Sequence, residues 1–172
     1  MIVLHVLFLI FFFFSIFGYI VECIYSSILL KKVNFDRGFF FGPYLPIYGF
    51  TITLIYVISK YVDSLLFVFL SAILITTVEY LTAFILELFF RRKWWDYTRK
   101  KYNIKGRVCL DNIIIFTLSS YIISKFVIQY LEKVLLENKI FTLSFFIFTL
   151  LVFIVDLILS IKYNYNCSKK KG

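Results

Sequence analysis

Five carboxylates lie inside or at the ends of long apolar runs, and they are the most chemically capable groups of this chain: Glu22, Glu79, Glu87, Asp111 and Asp156. An ionised carboxylate in hydrocarbon is costly, so such a group faces a protein interior, pairs with a cation or lines a wet path. Glu79 is the deepest, with Tyr80 and Thr82 beside it and Thr76 and Thr77 just before. Two readings stay open for it. One is a polar site in which Glu22, Glu79, Tyr80 and Thr82 hold a substrate or ion, or relay a proton. The other is structural: hydrogen bonding between helices, or pairing with Arg37, Lys105 or Arg107. Glu87, Asp111 and Asp156 sit nearer a cation-rich end, where the structural reading, hydrogen bonding between helices or pairing with cations, is expected. Other chemistry is thin. His5, the single histidine, lies towards the opposite end of its apolar run from Glu22. Cys23, Cys109 and Cys167 are odd in number and widely spaced, which supports neither a disulfide framework nor a zinc site. There is no Walker A, GxGxxG or HExxH pattern. No enzymatic activity, cofactor or metal is therefore expected, and any ATP hydrolysis would belong to another chain.

Backbone chemistry marks a second segment, where Gly42, Pro43, Pro46, Tyr48 and Gly49 open an otherwise apolar run. Proline removes an amide donor, and irregular backbone at membrane depth survives only where protein or water satisfies it. The segment reads either as a broken helix that gates a path or as a proline-started helix after an interfacial turn. A third segment mixes cations with rings: Arg91, Arg92, Lys93, Trp94, Trp95, Asp96 and Tyr97, then Asn103, Lys105, Gly106 and Arg107. Trp and Tyr favour the headgroup layer, and each cation adds about 1 kcal/mol of attraction to an anionic leaflet. The segment reads as an interfacial anchor or, given paired tryptophans beside a lone Asp96, as a docking element for a cytoplasmic partner.

Membrane helices must position these residues. The 172-residue chain is 62% hydrophobic, against about 45–50% apolar in soluble domains, and a fold this small could not hide the excess. A spanning helix needs about 20 mostly apolar residues. Five segments qualify, at about 2–29, 39–59, 64–90, 108–130 and 140–161. They predict one all-α transmembrane domain over 1–172, with a basic loop at 91–107 and a short, disordered basic tail within 162–172. Runs such as Leu4–Phe17 and Phe141–Val155 are apolar all round, which argues against a soluble bundle with polar faces. Met1–Val21 lacks a basic leader and a small-residue cleavage site, and reads as a retained first helix.

Charge sets the expected orientation. With five spans, fifteen of the 19 Lys and Arg fall on one side, in the 31–37 connector, the 91–107 loop and the tail. The positive-inside rule then predicts an outside N-terminus and a cytoplasmic C-terminus in a multi-pass cell-membrane protein. The net charge of +9 accordingly points to the anionic inner leaflet, not to nucleic acid. On this topology Cys109 and Cys167 are both open to thiol reagents from the cytoplasmic face.

Trp94-Trp95-Asp96-Tyr97, followed by Asn103-Ile104-Lys105-Gly106-Arg107-Val108-Cys109-Leu110, resembles a hallmark of the ABC-transporter type IV family of small, multi-spanning, permease-like bacterial proteins. Arg37-Gly38, Gly42-Pro43 and Pro46-Ile47-Tyr48-Gly49 are similar to that family's glycine and proline pattern, and Glu79-Tyr80-Leu81-Thr82 to its mid-membrane motif. Glu22 sits where its first helix carries a glutamate. The resemblance runs from about Gly18 to Leu110, and Arg99-Lys100-Lys101 is more basic than its pattern. It implies a permease subunit of unknown substrate. Five helices are few for a complete path, so the implied partners are an ATPase subunit on the Trp94–Arg107 loop and either a second copy or a second membrane subunit. The alternative is a non-transporting membrane scaffold or regulator that holds anionic lipid or a cytoplasmic partner.

Overall fold

Long runs without a helix breaker become long helices, and the breakers fall at their ends. A computed structural model describes residues 4–35, 38–62 and 64–169. The helices are α1 (Leu4–Leu30), α2 (Pro46–Ser59), α3 (Ser64–Phe90), α4 (Leu110–Ile122), α5 (Ile128–Glu137) and α6 (Lys139–Lys169). A π turn at Ile123–Val127 joins α4 to α5, and a hairpin of β1 (Asn103–Ile104) and β2 (Val108–Cys109) precedes α4. Among the described residues, four helical stretches are long and apolar enough to cross a membrane: Leu4–Ile28, Leu65–Phe90, Leu110–Glu137 and Lys139–Lys169. The apolar α2 is shorter, with 14 residues; at 1.5 Å per residue it is about 20 Å long, against about 30 Å of hydrocarbon.

The chain forms two compact units, Met1–Phe50 with Glu132–Gly172, and Thr51–Leu131. In the first, α6 turns a seam towards α1. Thr142, Phe146, Thr149, Phe153, Asp156 and Ser160 recur at alternating steps of four and three, and all are buried or half-buried. That spacing keeps one helix face on its partner. The rings interlock: Phe8 meets Phe146 edge-on at 5.3 Å, and Phe11 meets Phe153 at 5.4 Å. Within the seam Thr149 is satisfied locally, its hydroxyl donating to Phe145 O at 2.8 Å. The start of α2 lies so close to α1 that a Cβ on Gly49 would stand 2.1 Å from Phe11 O, and one on Gly18 would stand 2.4 Å from Tyr48 Cγ. Small residues permit this backbone approach.

In the second unit α3 buries Phe67, Ser71, Ile75, Glu79 and Ala83, every fourth residue along one face. Phe67 and Ile75 join Ile55 of α2 in a core that Phe116 and Tyr121 of α4 pack against. The Ser120 and Ser124 hydroxyls donate to Thr117 O and Tyr121 O at the π turn.

The helix ends differ from expectation in four places. Regular helix begins at Pro46, not near Phe39, because a proline suits the first helical turn and the preceding segment bonds elsewhere. Val108 and Cys109 are strand, so α4 begins at Leu110. Helical structure then continues past Tyr130 to Glu137, since no breaker interrupts it. The tail expected to be disordered is helical through Lys169, anchored by Asn164, whose Nδ2 donates to Phe39 O at 3.1 Å and Ser160 O at 2.9 Å. Arg37 and residues 170–172 lie outside the described residues.

Candidate functional site

Two polar constructions emerge, one in each unit. The first is the glycine and proline segment. Gly38 adopts φ +96°, a conformation that disfavours a side chain. The chain then runs without regular structure to Leu45, whose amide donates to Ser15 O of α1 at 2.8 Å. The middle of the segment is fastened to α6 through one carboxylate. Asp156 Oδ1 accepts from Phe41 N at 3.1 Å and from Ser160 Oγ at 2.7 Å, while Oδ2 accepts from Gly42 N at 2.7 Å and from the Tyr44 hydroxyl. Gly42 is required there, because a Cβ would meet the Tyr44 ring at 2.3 Å and Asp156 Oδ2 at 2.9 Å. Tyr44 is buried and Pro43 exposed. Two amide hydrogens freed by irregular backbone thus find an acceptor on a neighbouring helix. Of the two structural roles expected for Asp156, hydrogen bonding and cation pairing, it takes the first, with neutral N–H and O–H donors from this segment and from Ser160. Tyr48, one turn into α2, donates to Glu22 Oε2 at 3.3 Å.

The second construction is the 91–107 loop, and Arg107 holds it to α3. The guanidinium donates to Glu87 Oε2 through Nη2 at 2.7 Å and Nε at 3.1 Å, and to the Tyr80 hydroxyl through Nη1 at 2.9 Å. It also lies over the Tyr80 and Phe84 rings, 5.1 Å from each centroid. The two charged side chains are 15% and 22% exposed, so this pair is shielded more than an ordinary surface one. Glu87 holds the Arg107 charge firmly in place by raising its already high pKa.

The loop's own folding comes from its turn chemistry. Three residues link β1 to β2, and Lys105 at φ +52° and Gly106 at φ +71° are the central pair of the tight turn, with Arg107 N donating to Ile104 O at 3.0 Å. Two left-handed central residues are the signature of the turn that matches strand twist. Asn103 Oδ1 accepts from Gly106 N at 2.8 Å, Tyr97 N donates to Gly106 O at 2.8 Å, and Trp95 Nε1 donates to Arg107 O at 2.8 Å. Asp96 Oδ1 accepts from Thr98 N at 3.0 Å, while Oδ2 accepts from Lys93 Nζ at 3.3 Å. The Thr98 amide, ahead of its hydroxyl and Lys93, holds the Asp96 carboxyl below the ordinary carboxylate range. Arg92 lies over the Trp94 ring, and both Arg91 and Arg92 are exposed. Lys100 pairs with Asp111 at 3.4 Å.

Glu79 is 7% exposed, on the core face of α3. Thr82 is half-buried one turn along. In the same unit Thr53, Ser71 and Thr117 bury hydroxyls that have no hydrogen-bond partner among the described residues. Glu22 belongs to the first unit and Glu79 to the second. Among the expected site residues, the fold unites Tyr80 with Arg107, Trp95 with Arg107, Asn103 with Gly106, and Tyr48 with Glu22. Sequence reasoning missed Asp156, Ser160 and Asn164 as holders of the Gly38–Leu45 segment. Their signal was present, since polar residues at every fourth position of an apolar helix mark a face with partners. Cys109, expected to be open to reagents, is 1% exposed on β2, and burial pushes its thiol pKa up.

A family model described as "Putative ABC-transporter type IV" matches residues 9–161. The chain belongs to that family. The match takes in α1 through most of α6, well past Leu110, so the Asp156 fastening and the Arg107 brace both fall inside the type IV region. No curated protein and no solved structure matches the chain.

Proposed function

We propose that this type IV chain is the permease-like membrane subunit of a transporter whose ATPase is a separate chain. The folded 91–107 loop carries this reading. An interfacial anchor needs only rings and cations, whereas this loop is braced into one shape by Arg107, Trp95, Asn103 and Asp96. It keeps Arg91, Arg92 and Lys93 exposed, as a docking surface for an ATPase requires. The buried Glu79 and the nearby sequence of α3 would supply the polar lining of a path. We place the loop and the C-terminus in the cytoplasm, and the N-terminus outside. That orientation needs α2 to cross, with the eight residues of Gly38–Leu45 helping to cover a thickness its 14 residues do not reach alone. Otherwise Lys31, Lys32 and Arg37 would fall on the side opposite the basic loop and the tail, a weaker charge asymmetry.

Gentle solubilisation and affinity purification of the tagged protein test the reading. An ATPase chain should co-purify, and Arg92→Glu with Lys93→Glu should release it. Repeated recovery with neither an ATPase nor a second membrane subunit would sink the transporter assignment. A second reading, a non-transporting scaffold, is favoured by the exposure of Arg99, Lys101 and Lys105 beside the hairpin, which suits anionic lipid. Glu79→Gln separates the two. Lost function in a normally expressed, folded variant supports a polar path; unchanged function, with loss on neutralising the loop, supports the scaffold.

A further inference from the structure

The last turns of α1 and the five residues after them form the two walls of an open groove that the transporter reading does not use. Lys31, at φ +49°, ends the helix, and its amide and that of Lys32 return to Ile28 O and Ser27 O. The chain then doubles back along α1. Asn34 donates from its backbone to Ser27 Oγ at 3.0 Å and from Nδ2 to Ser26 Oγ at 2.9 Å, and the Tyr19 hydroxyl donates to Phe35 O at 2.7 Å. Between helix and returning strap lies a groove of about 560 Å³. Ile24 and Ile28 line its helix wall, Val33 and Phe35 its strap, and Lys31 and Lys32 stand where the chain turns.

Two features identify what fits. Val33 and Phe35 are 68% and 70% exposed although they follow two lysines, outside any apolar helix. Apolar side chains along an open groove at the end of a span suit an acyl chain, which lies against a wall and needs no enclosing pocket. The two ammonium groups form no ion pair among the described residues. They are placed to meet a phosphate at the headgroup level, and a zwitterionic lipid would bring its own cation against them. We infer that this groove binds one anionic phospholipid, with an acyl chain between Ile24, Ile28, Val33 and Phe35 and its phosphate at Lys31 and Lys32. The inference rests on α1 lying in a bilayer, and on neither the transporter nor the scaffold reading.

Native mass spectrometry of the full chain in a mild neutral detergent tests it, titrating phosphatidylglycerol against phosphatidylcholine of identical chains. The protein should retain one phosphatidylglycerol at least fivefold more strongly. Lys31→Gln with Lys32→Gln should bring the two lipids level, Lys31→Arg with Lys32→Arg should keep the preference, and Ile24→Trp should fill the groove and reduce retention of both. Lys133→Gln with Lys139→Gln removes equal charge elsewhere and should change nothing. Each variant is compared only after it elutes monodisperse with unchanged helicity. An unaltered preference in the Lys31, Lys32 double variant overturns the inference, as does an equal loss in the Lys133, Lys139 control.

Discussion

Single atoms decide both constructions. Asp156 gathers four donors on two oxygens, so replacing one oxygen by an NH2 group sets donor against donor. Asp156→Asn should loosen the Gly38–Leu45 segment by about 1–3 kcal/mol, and Tyr44→Phe by about 1 kcal/mol. Limited proteolysis within that segment reads the order, with Asn cleaved faster than Phe and both faster than wild type. Gly106 makes an equally local demand. At φ +71° a Cβ would stand 2.6 Å from Thr98 Cγ2 and 2.7 Å from Asp96 Oδ1. Gly106→Val should cost about 1–2 kcal/mol of hairpin stability, and about 1.4 kcal/mol is a tenfold change in opening. The buried Cys109 is the reporter: with Cys23 and Cys167 replaced by serine, its alkylation in detergent should accelerate about tenfold. The chemistry of these residues was only partly legible in sequence. Glycine announces a turn, but Lys105 in a left-handed conformation does not, so the hairpin stayed hidden inside a segment read as a loop. For Asp156 the sequence left hydrogen bonding and cation pairing both open, because its cationic neighbours in sequence say nothing of the amides and hydroxyls that surround it in space.

At the scale of elements, apolar length was the dependable guide. The expected 64–90 span is α3 to the residue, and α1 begins and ends within a turn or so of expectation where it is described. The ends that hydropathy misplaced are those set by tertiary bonds. The last turns of α6 are polar, yet they remain helical where Asn164 reaches the carbonyl of Phe39. A chain ending at Ile161 should therefore still insert, and its Gly38–Leu45 segment should become protease-sensitive although the deletion lies far away in sequence. The π turn of Ile123–Val127 has no periodicity signal that a 3.6-residue pattern search can find. The basic loop responds to acid with a defined sign. The folded pKa of Asp96 is depressed, so its contribution is complete above the unfolded value of about 4 and is lost as pH falls through the folded one. Hydrogen exchange over residues 97–106, corrected for its intrinsic pH dependence, should stay slow from neutrality to about pH 5 and quicken below about pH 4. Asp96→Asn should flatten that acid limb.

For the whole molecule, the proposed orientation has a direct test. Cys167 is half-buried near the end of α6, and in a variant without Cys23 and Cys109 it should react with an impermeant maleimide only in inside-out vesicles. Labelling on intact cells would reverse the orientation or change the number of crossings. Neither the charge asymmetry nor the family motifs revealed the division into two units, because contact between the first and last helices leaves no local pattern. That division has a consequence for how the protein is made. The Thr51–Leu131 unit is contiguous and can close as soon as it leaves the ribosome, whereas the other needs α6 to complete it. At about 5–20 residues per second, α1 and the amides of Phe41 and Gly42 wait roughly 5–25 s before Asp156 arrives. During that interval a hydrophobic helix and an unfastened strand of backbone stand in the membrane without their partner, and the newborn chain is most open then to capture by an insertase, a protease or a neighbouring copy.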